Sequence, residues 1–373
     1  MPTRAGATAR PSAVPAAPRP QPLAGRPNIV LILADDLGFS DLGAFGSEIS
    51  TPHLDALAAG GRRLTGLRSN ARCCPSRASL LTGLYPTQAG VGHMDRDEGH
   101  PAYQGFLRQD ARTVAQALRD VGYRTSLSGK WHLGSFDNAS MPVSRGFERS
   151  WGPVRGWGSY YRPPLYRDGR EIGTPDDPGF YLTDAIADHA VDTIRTFAHG
   201  SRPFFSFVSF TAPHWPLHAR AEDIAPYRDR YRGGWDRIRA ERFERQRELG
   251  LLPGVDRLPP RTAGVRRWRE AHHHGWQASR MATYAAQVTA LDRAVGRIVR
   301  TLDELDRLPE TAGIRERTLI VFLSDNGGCA EWLPERFGRG FTDLRGRPVR
   351  AGNHPARRPG PAGTFASYGP GWA

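Results

Sequence analysis

Two runs of apolar residues, near opposite ends of the chain, end in the same way. Residues 28–34 read Asn-Ile-Val-Leu-Ile-Leu-Ala, and residues 318–324 read Thr-Leu-Ile-Val-Phe-Leu-Ser. A continuous run of this kind is typical of a strand buried on both faces of a parallel sheet. The first run leads into Asp35 and Asp36, and the second into Asp325 and Asn326. Each predicted strand therefore carries oxygen-bearing side chains into a glycine turn.

Two further predicted strands also end in polar residues. Residues 203–210 lead to His214, and residues 123–128 lead to Lys130 and His132. Ligands of open α/β sheets sit beyond the carboxyl ends of the strands, so the four ends together predict a metal and oxyanion site. The alternative is that the Asp and Asn residues act there only as helix caps and turn formers.

The segments between the strands have helical periodicity. Thr51 and Pro52 predict a helix start, residues 112–121 are amphipathic, and Thr183 is predicted to cap a helix. Residues 282–305 predict a long helix with an apolar face. Alternating strands and helices predict an α/β layered fold with a parallel sheet covered by helices.

Composition narrows the classes of protein. The chain has 373 residues, 39% of them hydrophobic and 24% charged, as in soluble globular proteins. No run of eighteen apolar residues predicts a membrane span. The formal net charge of +13 invites a nucleic-acid partner, but the arginines are spread along the chain and mixed with acids. We therefore expect neither a nucleic-acid nor a membrane partner.

The N-terminus and the cysteines bear on the cellular compartment. Residues 1–26 are rich in Ala, Pro and Arg and lack the apolar core of a secretory signal, so they predict a disordered arm. Cys73, Cys74 and Cys329 form no disulfide framework, because adjacent cysteines are poor partners for each other. Both features predict a cytoplasmic protein.

Lys130 is the only lysine in the chain, among 51 Lys and Arg positions. Arginine is a planar, permanently charged fork, whereas lysine is a compact charge that sits against a single oxyanion. When all other basic residues of a chain are arginine, a single lysine indicates a position at which a guanidinium cannot replace the ammonium. Lys130 is therefore a candidate catalytic residue.

The cysteine pair opens a predicted short helix. The sequence Cys-Cys-Pro-Ser-Arg over residues 73–77 places proline in the first turn, and Gly83 suits the C-terminus. Cysteines at this end feel the positive end of the helix dipole, as does any anion bound there. Arg77 lies one turn along and can reach the same place. From the residues alone, the segment predicts a reactive thiol beside a cationic pocket.

These motifs together resemble a known family. The Cys-x-Pro-x-Arg segment from Cys73, the turn at 35–38, Gly-Lys-Trp-His at 129–132, the segment around His214 and the turn at 324–328 are similar, in order, to motifs of the formylglycine-dependent sulfatases. That family belongs to the alkaline phosphatase superfamily, and the likeness is greatest to bacterial arylsulfatases. It covers about residues 27–373, which we expect to form one catalytic domain. It implies an alkaline-phosphatase-like sandwich with a large, mostly parallel central sheet.

The resemblance also implies a nucleophile and a cation. In the family the first cysteine of the motif is oxidised to formylglycine, which implies Cys73 here and a formylglycine-generating enzyme as partner. The aldehyde hydrate attacks sulfur with one hydroxyl and expels sulfate with the other. The resemblance places Ca²⁺, or Mg²⁺ or another divalent cation, between the sulfate, the nucleophile at residue 73 and an oxygen cage. An all-oxygen cage suits a hard cation, and its members are Asp35, Asp36, Asp325 and Asn326.

Roles for the remaining residues follow from the same resemblance. Asp325 would take the proton of the attacking hydroxyl, and Lys130 and Arg77 would hold the negative charge. His214 would face the leaving oxygen, and His132 would draw the proton from the second hydroxyl. Without the modifying enzyme, Cys73 would stay a buried thiol.

Other candidate residues have weaker signals. We expect His218 to be structural, and the triple histidine at 272–274 resembles a metal tract but matches no family motif. Four aromatic residues either line the substrate entrance or serve as packing, namely Trp151, Trp157, Tyr160 and Tyr161.

The chain also departs from the family pattern. Family members usually carry a second lysine that binds sulfate, followed by a smaller C-terminal subdomain. No lysine follows Lys130, and residues 337–373 are rich in Gly, Pro and Arg with little periodicity. We therefore expect an irregular tail, a C-terminally truncated sulfatase without that subdomain, and impaired turnover. A separately encoded C-terminal half is a candidate partner.

Three functions remain open from the sequence. The first is hydrolysis of sulfate monoesters, with aryl sulfates as the expected substrates. The second is hydrolysis of phosphonates or phosphodiesters, since the superfamily shares the nucleophile, metal and fold. The third is a catalytically silent or split remnant.

Overall fold

The computed structural model describes residues 25–136, 139–335 and 338–373. The predicted arm, residues 1–26, lies outside this range except for its last two residues. Within the described residues the strands are β1 Asn28–Asp35, β2 Arg124–Gly129, β3 Arg149–Gly152, β4 Leu165–Arg167, β5 Arg170–Gly173, β6 Phe204–Pro213, β7 Thr318–Ser324, β8 Gly338–Thr342 and β9 Pro348–Ala351. The helices are α1 Pro52–Ala59, α2 Cys73–Thr82, α3 Val114–Asp120, α4 Leu182–Ala198, α5 Ala221–Ile224, α6 Gly234–Glu248 and α7 His274–Asp306.

Seven strands form one mixed, mostly parallel sheet. Their order is β5-β4-β3-β2-β6-β1-β7, and only the pairs β3–β4 and β4–β5 are antiparallel. The four strands predicted from the sequence, β2, β6, β1 and β7, are consecutive neighbours, and β7 is the edge strand on that side of the sheet. In register, Ala34 faces Ser324 and Gly129 faces Ser209. The carboxyl ends of all four strands therefore meet at one edge of the sheet.

Alternate residues of β1 pack into two hydrophobic layers. Val30 and Ile32 belong to the layer that α4 and α7 cover, and Leu33 belongs to the layer that α2 and α3 cover. This explains why the run lacks polar positions, since a strand covered on both faces needs apolar side chains on both. The predicted α/β fold, with a mostly parallel sheet between helical layers, is confirmed.

Several predicted boundaries were wrong. The helix start expected at Thr183 lies at Leu182, so Thr183 is inside the first turn and its hydroxyl caps nothing. Helix α7 begins at His274, two turns before the expected position, because its N-terminal turns pack on the tail rather than along an apolar stripe. Helix α3 is shorter than predicted and starts after Thr113, whose side chain and that of Gln116 form a reciprocal cap.

The C-terminal region contains more structure than its composition suggested. Strands β8 and β9 form a small antiparallel pair. Further along, Phe365 and Tyr368 are buried, and the backbone of Leu217 donates to the carbonyl of Ala366. Among the described residues, no helix is apolar and long enough to cross a membrane.

Candidate active site

The turns that follow the neighbouring strands β1 and β7 are tied to each other by hydrogen bonds. The amide of Asp325 donates to the carbonyl of Ala34 (3.1 Å), and the amide of Asp36 donates to Oδ1 of Asp325 (3.3 Å). Asn326 donates from Nδ2 to Oδ1 of Asp36 at 2.5 Å. Asp36 itself has a φ of 63°, a left-handed conformation that is uncommon for residues with a side chain. The turn after β1 is thus held in one geometry by the turn after β7.

Helix α2 delivers Cys73 and Arg77 to the same place. Gly83 ends the helix with a φ of 70°, a conformation that glycine adopts without strain. The thiol of Cys73 lies 4.0 Å from Oδ1 of Asp36. Burial is the main reason why the pKa of Cys73 lies well above its ordinary value. As an unmodified cysteine it is therefore a protonated, weakly nucleophilic thiol.

Arg77 is fully buried and connects three of the strand ends. Its Nε donates to Oδ2 of Asp325 at 2.9 Å, and its Nη1 donates to Oγ of Ser209 at 2.6 Å. Its Nη2 lies 3.6 Å from Oδ1 of Asp35, without a hydrogen bond. Burial alone would lower the pKa of Arg77, but the carboxylates of Asp325 and Asp35 outweigh it and raise the pKa. The guanidinium is a permanent positive charge at the centre of the site.

Lys130 supplies the second buried cation. Its Nζ lies 2.5 Å from Oδ2 of Asp35. Burial opposes the charge, yet Asp35 outweighs it, so the pKa of Lys130 lies above its ordinary value. The preceding Gly129 has a φ of 112°, and a Cβ there would lie 1.9 Å from the carbonyl oxygen of Ser209. Only glycine allows β2 and β6 to approach this closely just before the lysine.

Four side chains converge closely enough to hold a cation. One ligand atom from each of Asp35, Asp36, Cys73 and His214 lies within 4.8 Å of the others. Oδ1 of Asp35, Oδ2 of Asp36 and Oδ1 of Asn326 are buried without a hydrogen-bond partner. Buried carboxylate and amide oxygens are costly without a donor or a cation. This donor set therefore fits a divalent cation, and its chemistry suits a hard one.

His214 lies among the candidate cation ligands, whereas the resemblance assigned it only to the leaving oxygen of the substrate. Its Nδ1 donates to the carbonyl oxygen of Trp215 (2.5 Å), which leaves Nε2 3.5 Å from Oδ2 of Asp36. Asp325, which we expected among the cation ligands, has both oxygens engaged by protein donors, Arg77 and the amide of Asp36. Burial, followed by the neighbouring Asp35, raises the pKa of Asp325.

Comparison with known proteins decides the family. The family model described as Sulfatase matches residues 27–356. The chain is 33% identical to an uncharacterized sulfatase of Schizosaccharomyces pombe, covering 93% of this chain and 65% of that protein. It is 32% identical to an arylsulfatase of Klebsiella aerogenes, covering 93% of this chain and 75% of that protein. The chain belongs to the sulfatase family.

Solved structures agree with this assignment. The crystal structure of Ps i-CgsB is 28% identical, with a TM-score of 0.57, and the match covers 81% of this sulfatase and 59% of that chain. The structure of yidJ from Bacteroides fragilis, at 22% identity, shows the likeness of the fold alone; its TM-score is 0.60 over 83% of this chain and 64% of that one. The sulfatase described here spans about two thirds of the length of the S. pombe protein.

His132 is a buried, neutral imidazole in the sulfatase. Burial, followed by the positive charge of Lys130, lowers the pKa of His132 to about 3. Its Nε2 lies 3.5 Å from Oδ2 of Asp95, and a hydrogen bond from His132 is the largest influence lowering the pKa of Asp95. A Cβ at Gly156 would lie 2.1 Å from the His132 ring. Gly156 thus leaves the space that the imidazole occupies.

The sequence analysis did not identify a buried network of hydrogen bonds and ion pairs around Asp41, which lies behind the candidate cation ligands. Oδ1 of Asp41 accepts from Arg242 at 2.5 Å and its Oδ2 accepts from Tyr284 at 2.6 Å, while Arg242 also binds Glu48. Oδ2 of Asp41 accepts from the amide of Gly38 at 2.8 Å as well. The network fixes the turn that carries Asp35 and Asp36. The available signal was Asp41, six residues after Asp35 and beside the glycine turn.

The weaker candidates lie outside the cluster. His218 accepts from the amide of Tyr160 (3.3 Å) and donates to the carbonyl of Thr364 (2.6 Å), which is a structural arrangement. The histidines at 272–274 are exposed and ligate nothing among the described residues. Trp157 packs on Trp215 at 5.1 Å between ring centroids, next to His214. The remaining aromatic candidates, Trp151, Tyr160 and Tyr161, are buried.

Proposed function

We propose that this sulfatase hydrolyses sulfate monoesters, with aryl sulfates as the preferred substrates. The observation that carries the proposal is the buried convergence of Asp35, Asp36, Cys73 and His214 beside the cations Lys130 and Arg77. Two cations beside a cation-binding group can neutralise a sulfate ester in a site closed to water. The similarity to the Klebsiella arylsulfatase supports the choice of aryl substrates.

The nucleophile that we propose is formylglycine made from Cys73 by a formylglycine-generating enzyme. The structure contains the unmodified cysteine, whose Sγ stands where an oxygen of the aldehyde hydrate would be. Since its pKa is raised by burial, the thiol itself is a poor nucleophile at neutral pH. A hydrate would supply two hydroxyls at this point, one for attack on sulfur and one for release of sulfate.

The cation that we propose is Ca²⁺, held by Asp35, Asp36 and Asn326 and bordered by Asp325. The support is the set of three buried oxygens that have no hydrogen-bond donor. When bound, a divalent cation polarises the sulfuryl oxygens and lowers the pKa of a neighbouring hydroxyl. Mg²⁺ is the alternative, and it prefers a more regular octahedral geometry with retained waters.

The chain's own side chains would carry the proton transfers. Asp325, whose pKa is raised by burial and by Asp35, lies beside Cys73 as an acceptor for the attacking hydroxyl proton. His132 is neutral at physiological pH because burial, followed by the charge of Lys130, depresses its pKa to about 3. A bound sulfate would favour the protonated form, and His132 would then accept the proton of the second hydroxyl. His214 has Nδ1 fixed by Trp215 and Nε2 directed to the cluster, where it would meet the leaving oxygen.

The test compares two chromogenic substrates. The chain would be co-expressed with a formylglycine-generating enzyme and assayed with 4-nitrophenyl sulfate and bis(4-nitrophenyl) phosphate. We expect turnover of the sulfate to exceed that of the phosphodiester, to require a divalent cation and to vanish in Cys73→Ala but not in Cys74→Ala. A preference for the phosphodiester would favour the other hydrolase class, and turnover of neither substrate by modified protein would favour a silent remnant.

A further inference from the structure

A cavity with a largely aromatic wall lies apart from the catalytic cluster. It has a volume of about 510 Å³ and is bordered by the start of α7, by residues 264–266 and by the tail at 370–371. Three tryptophans form much of its wall, namely Trp235, Trp276 and Trp332. None of the residues that line it belongs to the catalytic cluster. The volume falls in the range of small-molecule sites, well above that of a single inorganic ion.

Arg280 lines this cavity and is buried without an acidic partner. Its Nε donates to the carbonyl of Ser367 (2.6 Å), and its Nη1 donates to Oε1 of Gln277 (2.7 Å). Its Nη2 is buried with no hydrogen-bond partner. No carboxylate forms an ion pair with it across the described ranges 25–136, 139–335 and 338–373. Burial alone lowers the pKa of Arg280, to about 9.

Burying an arginine without a partner costs free energy of folding unless an anion pairs with it. A buried charge normally has an opposite charge and a full set of hydrogen bonds. The buried Arg77 and Arg242, in the catalytic cluster and in the network behind it, follow this rule with their carboxylates. Arg280 does not, so its Nη2 is a donor that the protein itself leaves unused.

Two indole rings hold the guanidinium in a fixed plane. Its central carbon lies 4.5 Å from the ring centroid of Trp276 and 4.9 Å from that of Trp332. A planar guanidinium held in this way keeps its one unused nitrogen, Nη2, in a fixed position for an oxyanion. Gly369 closes the far side, where a Cβ would lie 2.7 Å from Nη2. The geometry is thus fixed before any ligand arrives.

The surroundings favour an anion that carries a ring. Trp332 is about half exposed, so one aromatic surface remains available for stacking. Arg266 lines the same cavity, and its positive charge favours an anionic ligand. The exposed His272 and His273 also line the cavity. Glu335 is the acidic residue on the lining; it is exposed, and in the described part of the chain it forms no ion pair with Arg280.

We propose that this cavity binds an organic oxyanion, a carboxylate or sulfate attached to an aromatic or sugar ring. The oxyanion pairs with Nη2 of Arg280, and the ring lies against Trp332 and Trp235. The site is distinct from the place where we propose that sulfate esters are cleaved. It would allow the protein to hold an anionic ligand independently of turnover.

The test is calorimetric titration of the full chain with benzoate and benzenesulfonate, with neutral benzamide as the control ligand. We expect saturable binding of both anions and none of benzamide. Arg280→Gln should weaken anion binding at least about tenfold, because it removes the charge-assisted bond. Trp332→Ala, at a half-exposed position that tolerates truncation, should also weaken it, even where the buried arginine variant folds poorly. The matched control Arg300→Gln changes an exposed arginine on the same helix and should have no effect.

Lys130→Gln separates this site from the catalytic one. Binding that persists in Lys130→Gln and is lost in Arg280→Gln and Trp332→Ala places the anion in the cavity. Binding that is lost in Lys130→Gln and kept in the other two variants places it among the catalytic cations and overturns the proposal. Equal binding of benzamide, or no anion binding to the unmodified sequence, overturns it as well.

Discussion

Nζ of Lys130 lies 2.5 Å from Oδ2 of Asp35, and neither side chain has any exposed surface. The other oxygen of Asp35 lies 3.6 Å from Nη2 of Arg77. One buried carboxylate thus faces two buried cations, while its Oδ1 still lacks a hydrogen bond. This is a site in which positive charge is set in place before a sulfate enters. The single lysine of the chain is part of that arrangement.

Replacing Lys130 by Met should therefore reduce both activity and stability. Losing a preorganised cation at the reacting centre costs on the order of 10²–10³ in turnover. Leaving Asp35 with only Arg77 as a partner should lower the free energy of unfolding by about 3 kcal/mol. Sulfate-ester turnover and denaturant unfolding measure the two effects. Arg300→Met, an exposed position, is the control, and unchanged turnover in Lys130→Met would contradict the assigned role.

Cys73, and not Cys74, should carry the aldehyde after co-expression with a formylglycine-generating enzyme. The reason is its spacing of two residues to Pro75 and four to Arg77, together with its place beside Asp36. Peptide mass spectrometry of the modified protein reads the position directly. Cys74→Ala should leave the yield of aldehyde unchanged. An aldehyde found on Cys74 alone would show that the nucleophile is wrongly assigned.

Asp36→Asn should remove divalent-cation binding. Asparagine keeps the size of the side chain and tolerates the left-handed backbone at φ 63°, so only the charge of a ligand is lost. We expect the affinity for Ca²⁺ to fall by more than about 100-fold. Loss of a residue that only hydrogen-bonds to a metal ligand costs about 10- to 100-fold in affinity, and loss of the ligand itself should cost more. Titration calorimetry measures the affinity, with Asp110→Asn as an exposed control. Equal affinity in both variants would exclude Asp36 from the cation site.

Gly156→Ala should displace His132 without breaking the fold. The added Cβ would lie 2.1 Å from the imidazole, so the ring must move. Displacement of a catalytic group by about 1 Å costs roughly 100-fold in rate, and we expect turnover to fall by about that factor. Gly158→Ala is the matched control, since a Cβ there meets nothing within 4 Å. Similar turnover in the two variants would argue against a catalytic role for His132.

His218 should make the protein less stable in mild acid. Burial lowers the pKa of His218 from 6.5 to about 4, because the charged imidazolium loses its hydration inside the protein. Below about pH 6.5 His218 binds a proton in the unfolded chain, whereas in the folded chain it stays neutral down to about pH 4. The free energy of unfolding should therefore fall by about 1.4 kcal/mol per pH unit between about pH 6.5 and 4 from this residue.

The measurement is denaturant unfolding across that pH range for the unmodified sequence and for His218→Gln. In the variant, the slope of the free energy of unfolding against pH should be shallower by the contribution of one proton, about 1.4 kcal/mol per pH unit. Identical slopes would mean that His218 does not titrate as its burial indicates. The overall stability of the variant does not enter the comparison, because the prediction concerns the slope alone.

The central sheet and the positions of most site residues followed from the sequence. Apolar runs predicted β1, β6 and β7, and residues 123–128 predicted β2; these four strands are neighbours in the sheet. The expected burial of residues 318–324 on both faces was wrong, because β7 is an edge strand with half-buried residues and an exposed Leu319. Since parallel strands align their carboxyl ends, polar residues after each run had to meet at one edge. Asp35, Lys130 and His214 were predictable in this way.

Tertiary structure alone decided which side chain pairs with which. Arg77 engages Asp325, and His214 joins the cation group, because of side-chain directions that spacing does not encode. The start of α7 and the burial of Arg280 depend on contacts with the tail, nearly ninety positions away along the chain. Local sequence fixes periodicity and turn chemistry, which act over a few residues. Long-range packing determines pairing, burial and charge balance, and these became visible only when the chain was folded.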